Sequence, residues 1–220
     1  FLNVTTDKVY ENNEEDYAYK ENDRLNGYDP YSNSKSCSEL VTDAYKKSYF
    51  SDNRVRISTA RAGNVIGGGD ISKDRIIPDC VRAAKKCEDI IIRNSNSIRP
   101  YQHILEALFA YLMIAEKQYH DEKYVGSYNV GPNEDDIIRT EELVEIFCKK
   151  WENIKYINQA DNGPFESNYL KLDCNKIKNT FNWKPIWNIE KTVDKIVEFE
   201  KCDIENLEEC MKKQIEDYIK

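Results

Sequence analysis

Short apolar runs alternate along this chain with stretches of helical period, and that alternation narrows its fold more than any other feature. Residues 1–5, "RVRISTA" (54–60), "DIIIRN" (89–94), "SYNVGP" (127–132) and 154–158 read as strands. Between them lie helical patterns. Asp29 is a good N-cap and Pro30 suits a first helical position, so a helix should open at "YDPYSNSK"; Leu40, Val41, Ala44, Tyr45 and Tyr49 then recur at its period. Further helices are expected at 78–86, at 103–119, and at 141–151 behind Thr140, with Leu143, Val144, Phe147 and Trp151 on one face. Others should start at Asp173, span 189–200 and occupy 203–220. Residues 11–29 and the Gly-rich "RAGNVIGGGD" (61–70) read as loops. Strands that alternate with helices predict an α/β fold with a mostly parallel sheet. Such sheets bind ligands beyond the carboxyl ends of their strands, where both "TTDK" (5–8) and "RAGNVIGGGD" fall.

Composition limits the partners. The net charge of −8 leaves no basic excess to neutralise phosphates, which argues against nucleic acid. No apolar run is long enough for a membrane span, and no signal peptide is visible. Seven scattered cysteines without a C-x-x-C pair argue against zinc or a disulfide framework and point to a reducing cytoplasm. No metal site is expected, and His103 reads as structural.

Tyr31 and Lys35 are four residues apart, so on a helix they share a face. An ammonium beside a phenol favours the phenolate and makes it a usable base. Alone the pair is weak evidence: Tyr119 and Lys123 form another. The order Thr6, Tyr31, Lys35 is more specific. A hydroxyl at a strand end followed by Tyr-x-x-x-Lys at a helix start resembles the short-chain dehydrogenase/reductase active site. "RAGNVIGGGD", "IRPYQH" (98–103) and "YNVGP" (128–132) resemble its extended branch, which acts on nucleotide sugars. With "DRIIPD" and "NYLKLD", the set is similar to the CDP-glucose 4,6-dehydratases over nearly the whole chain, Lys8 standing where dTDP-glucose enzymes have Glu.

That resemblance implies a partial Rossmann-type, doubly wound parallel sheet with a smaller C-terminal α/β substrate-binding lobe, mainly 64–100 and 130–185, within one incomplete domain over 1–220. It implies NAD as cofactor, held in part by Tyr31 and Lys35, CDP-glucose as substrate, and a homodimer or higher homo-oligomer at full length. Tyr31 would take the C4 hydroxyl proton, Thr6 would hold that hydroxyl, and Asp7 would protonate the departing C6 hydroxyl. Lys8 would be either the C5 base, made neutral by burial or a nearby cation, or a group that steadies charge. Arg75 and Arg99 would bind the diphosphate with Asn64 and Asn129, and Tyr169 would line the nucleotide end. "GNVIGGGD" lacks G-x-G-x-x-G spacing and is not a dinucleotide fingerprint. A chain that opens at Phe1 without that fingerprint reads as a fragment, inactive by itself. The rival readings are a nucleotide-sugar 4-epimerase, or a non-catalytic binding module on the same scaffold.

Overall fold

The computed structural model describes residues 1–52, 54–159 and 169–220. In chain order its elements are β1 (Leu2–Val4), β2 (Ala18–Tyr19), α1 (Pro30–Tyr49), β3 (Ser58–Ala62), β4 (Asn64–Ile66), α2 (Ile76–Lys86), β5 (Ile90–Ile92) and β6 (Ile98–His103). They continue with α3 (Ile104–His120), β7 (Ser127–Val130), β8 (Ile137–Arg139), α4 (Thr140–Trp151), β9 (Tyr156–Asn158), β10 (Lys171–Leu172), α5 (Asn175–Phe181), α6 (Ile189–Glu200) and α7 (Leu207–Ile219).

Strands β1, β3 and β7 form a parallel sheet in that order, as the alternation of elements predicts. The central strand β3 is buried along its whole length. A parallel strand covered on both faces need not alternate, so the polar-apolar rhythm of "RVRISTA" does not mark its bounds. The strand starts at Ser58 and runs through Arg61 to Ala62. "GNVI" is likewise no loop: Asn64–Ile66 pair in parallel with Tyr101–His103. Gly63 between the two strands has a steric reason, because a Cβ there would lie 2.8 Å from the Pro100 carbonyl oxygen.

Two apolar clusters hold the structure. One packs Ala60, Ala62, Tyr128 and Val130 of the parallel sheet against Ala110 and Ile114 of α3 and Ile177 of α5. The other joins α2, α4 and α6 through Ile77, Leu143, Phe147, Val193 and Ile196, with Ile90, Ile92 and Tyr101. The helix period of α4 and α6 therefore reports their core faces correctly. Thr140 does not cap α4. It is the first helical residue, Arg139 is the N-cap, and Glu142 accepts the Arg139 N–H at 2.7 Å. The Thr140 hydroxyl instead bonds Ser97 at 2.7 Å and Tyr101 at 2.9 Å.

Helix α1 buries polar rather than apolar side chains. Leu40, Val41, Tyr45 and Tyr49 are exposed, and its buried positions are the polar Ser32, Ser36 and Glu39. Each of these finds a partner. The Ser36 hydroxyl donates to the Val9 carbonyl, and Glu39 pairs with Arg61. No helix among the described residues is long and apolar enough to cross a membrane.

His103 is structural, as expected. It N-caps α3 by accepting the Leu105 N–H at Nδ1, 3.2 Å away, and its ring meets Trp187 edge-on. Burial, reinforced by the Lys195 charge, holds its pKa down at about 4. An unfolded histidine titrates near about 6.5, so between these values the unfolded chain binds more protons. Stability should therefore fall by about 3 kcal/mol as pH drops from ~6.5 through ~4. His103→Asn keeps an acceptor at the cap and should flatten that part of a melting-temperature–pH curve.

Candidate active site

The parallel sheet places several of the candidate residues at one edge. Beyond β1 the chain stays paired through the Thr5 N–H to the Ala60 carbonyl, then turns at Asp7–Val9. Thr6 caps that turn. Its hydroxyl donates to Asp7 Oδ1 at 3.0 Å and accepts the Lys8 N–H at 3.4 Å. Helix α1 starts at the same edge, with Asp29 accepting from the Tyr31 and Ser32 amides at 2.9 and 3.1 Å. Thr6, Asp7, Lys8, Tyr31, Asn64, Arg75 and Arg99 all line a single cleft of about 670 Å³.

Their environments differ. Asp7 is 1 % exposed, and burial raises its pKa against the opposing pull of Lys8, the Thr6 hydrogen bond and Arg99. A carboxyl pushed this way keeps its proton to higher pH, as a general acid requires. Lys8, by contrast, is exposed, so the burial expected of a neutral C5 base is absent there. Tyr31 is 52 % exposed at the cleft, and its phenol makes no hydrogen bond among the described residues. Lys35 follows one turn later on α1; it is half-buried, makes no ion pair among the described residues, and is not part of the cleft lining.

The cations also divide. Arg99 is buried with Nη1 on the Ile98 carbonyl, and its charge reaches Asp7. Arg75 is exposed on the cleft wall with no ion pair among the described residues, which leaves its guanidinium open to an anion. Arg93, which sequence reasoning missed, joins them but is tied to Asp74 at 3.0 Å.

Two expected substrate contacts lie elsewhere. Asn129 is fully buried. Its Oδ1 accepts the Tyr10 hydroxyl at 2.6 Å, and its Nδ2 donates to the Tyr19 and Asp173 carbonyls. Its amide is fully employed in joining β2 to the chain after β10, away from the cleft. Tyr169 also lies off the cleft lining. Its hydroxyl donates to Asp16, and Lys171 sits over its ring. Asn168, which opens "NYLKLD", is outside the described residues.

A buried network underlies the tip. Arg61 makes two parallel bonds to Glu39, at 2.9 and 3.0 Å, and a third to the Tyr10 hydroxyl at 2.9 Å. The Thr5 hydroxyl donates to Glu39 at 2.5 Å, which anchors the residue next to Thr6 to α1. Nothing in local sequence marks this arrangement. Glu39 and Arg61 are 22 residues apart and meet only through the fold.

A parallel α/β sheet with hydroxyl, acid and phenol at its carboxyl edge defines the class expected above, the extended short-chain dehydrogenases and reductases. Within it, the chain belongs to the GDP-mannose 4,6 dehydratase family, whose model matches residues 1–196. It is 40% identical over 227 residues to the CDP-glucose 4,6-dehydratase of Salmonella typhimurium, an alignment that covers 99% of this chain and 63% of that protein. Among solved structures, it superposes on the dTDP-glucose 4,6-dehydratase of Bacillus anthracis in complex with NAD at a TM-score of 0.76 and 21% identity, over 95% of this chain and 64% of the other. It also superposes on the UDP-glucuronic acid 4-epimerase of Bacillus cereus in complex with UDP-glucuronic acid and NAD, at 0.78 and 16%, over 91% and 61%. The chain thus spans a little under two thirds of the length of the relatives it matches.

Proposed function

We propose that this chain belongs to an NAD-dependent nucleotide-sugar 4,6-dehydratase acting on CDP-glucose. One observation carries this reading: a buried Asp7, its pKa raised by that burial, stands beside Thr6 in a cleft that Tyr31, Arg75 and Arg99 also line. The 40% identity to a CDP-glucose 4,6-dehydratase supports the choice of nucleotide. Tyr31 and Lys35 would hold the nicotinamide end of NAD, and they fit it in having no polar side-chain partner among the described residues. When bound, NAD supplies the hydride acceptor for sugar C4 and returns the hydride to C6.

The residues of this chain do the rest. Tyr31 takes the C4 hydroxyl proton, and Thr6 holds that hydroxyl in place. The 4-ketone then acidifies the C5 proton, which Lys8 removes or whose departure it steadies. Asp7 protonates the C6 hydroxyl and water leaves. Arg75, Arg99 and Asn64 clamp the diphosphate. The apolar cluster that joins Ile66, Ile77, Ile90 and Ile92 to Leu143 and Phe147 supports a substrate lobe formed mainly by 64–100 and 130–185. The exposed apolar stripe of α1 supports self-association into a homodimer or higher homo-oligomer. Seven free cysteines suit a cytoplasmic setting.

The experiment incubates full-length protein and NAD with CDP-glucose, dTDP-glucose and GDP-mannose separately and follows product mass. Loss of one water from CDP-glucose alone is the expected result. A product of unchanged mass would instead indicate 4-epimerase chemistry. Unaltered sugar nucleotides in all three reactions would favour a binding module.

A further inference from the structure

Asp7 uses only one of its two carboxyl oxygens. Oδ1 accepts the Thr6 hydroxyl, while Oδ2 is buried and has no partner among the described residues. A buried polar atom without a partner is rare in folded proteins and calls for a reason. Tyr111 of α3 lines the same cleft. Its ring packs against the apolar cluster under the parallel sheet, beside the buried Ala110 and Ile114. Its phenol makes no hydrogen bond among the described residues.

The Asp7 charge reaches Tyr111. Burial first, and then the Asp7 charge, pushes the Tyr111 pKa up to about 12. The phenol is thus a neutral donor and acceptor at any working pH. Helix α3 brings it there by crossing β1 and β3 on one face of the sheet. A buried carboxyl oxygen and a phenol therefore belong to residues that line a single cleft, and neither has a hydrogen-bond partner among the described residues. A leaving hydroxyl is protonated best when one group holds the oxygen and another delivers the proton.

We propose that Tyr111 hydrogen-bonds the C6 hydroxyl of the bound hexose and aims it at Oδ2 of Asp7. This assignment rests on the 4,6-dehydratase reading. In the step it serves, the C5–H bond has given its proton to a base and its electron pair forms the C5–C6 double bond. The C6–O bond breaks, its electrons stay on oxygen, and the Asp7 proton completes the departing water. Tyr111 orients the oxygen and loses no proton.

The test is Tyr111→Phe in the full-length protein with NAD and CDP-glucose, run in parallel in deuterated water. Loss of one transition-state hydrogen bond should lower kcat for water loss by roughly 10–100-fold, with KM little changed. Oxidation at C4 and proton loss at C5 should still proceed, so recovered CDP-glucose should carry deuterium at C5. Tyr111→Leu, which keeps the apolar packing, should behave the same way. Unchanged kcat in the Phe variant would overturn the assignment. So would a lowered kcat without C5 deuterium, since the defect would then precede elimination. Wild-type protein that leaves CDP-glucose intact would overturn the dehydratase reading itself.

Discussion

Under the proposed 4,6-dehydratase reading, Asp7→Asn should lower turnover of CDP-glucose by about 10²–10⁴-fold, the usual contribution of a general acid, and leave KM nearly unchanged. The amide fills the same volume and can still accept the Thr6 hydroxyl, so the change removes a proton and little else. The same substitution should have an opposite effect on stability. Asp7 is wholly buried with a raised pKa. An acid whose folded pKa lies above its unfolded value binds more protons when folded, so its ionisation destabilises the fold as pH rises through that window. Asp7→Asn should therefore melt higher than the parent at neutral pH, and the gap should close on acidification toward the ordinary carboxylate range. Thermal melts at several pH values, beside steady-state kinetics, read both effects. A variant that is less stable at neutral pH, or fully active, would refute the role given to Asp7.

Removing one side of the ion pair beneath the site should cost more stability than any other single change considered. Arg61 and Glu39 are 4 % and 3 % exposed. Burial alone would make Arg61 easier to deprotonate, yet its bonds to Glu39 and Tyr10 hold its pKa above the ordinary value. Glu39→Ala would leave that guanidinium charged and unpaired in the interior, at a cost of about 3–5 kcal/mol. It would also release the Thr5 hydroxyl, so activity should fall along with stability. The double change Glu39→Met with Arg61→Met removes both charges and should recover most of the stability, because well-packed apolar groups replace buried ion pairs at little cost. Activity should recover less, since Thr5 still lacks its anchor. Denaturation midpoints of the single and double variants separate these outcomes.

Local patterning identified much of this chain. Asp29 and Pro30 start α1 where expected, and α6 matches the expected 189–200. Capping and helix period are short-range properties, so adjacent residues suffice to show them. The order Thr6, Asp7, Lys8, Tyr31 could be read for a related reason, since a strand tip and the next helix start converge at the carboxyl edge of a parallel sheet. Other parts were illegible. The bounds of β3 were missed because a strand buried on both faces shows no alternation. The period of Leu40, Val41, Tyr45 and Tyr49 located α1 but not its buried face, which is Ser32, Ser36 and Glu39; the partners of Ser36 and Glu39 come from distant segments.

By itself, then, the sequence determined the α/β class, the positions of most helices and a candidate set of site residues, because each depends on neighbours within a few turns of chain. Only the tertiary structure decided which of those residues share a cleft. It kept Thr6, Asp7, Tyr31, Arg75 and Arg99 together and gave Asn129 to an internal hydrogen-bond network. It also set Tyr111 near Asp7, 104 positions away along the chain (111 minus 7). Burial, and the pKa and unpartnered oxygen that follow from it, arise from contacts between segments remote in sequence, and no local pattern encodes them.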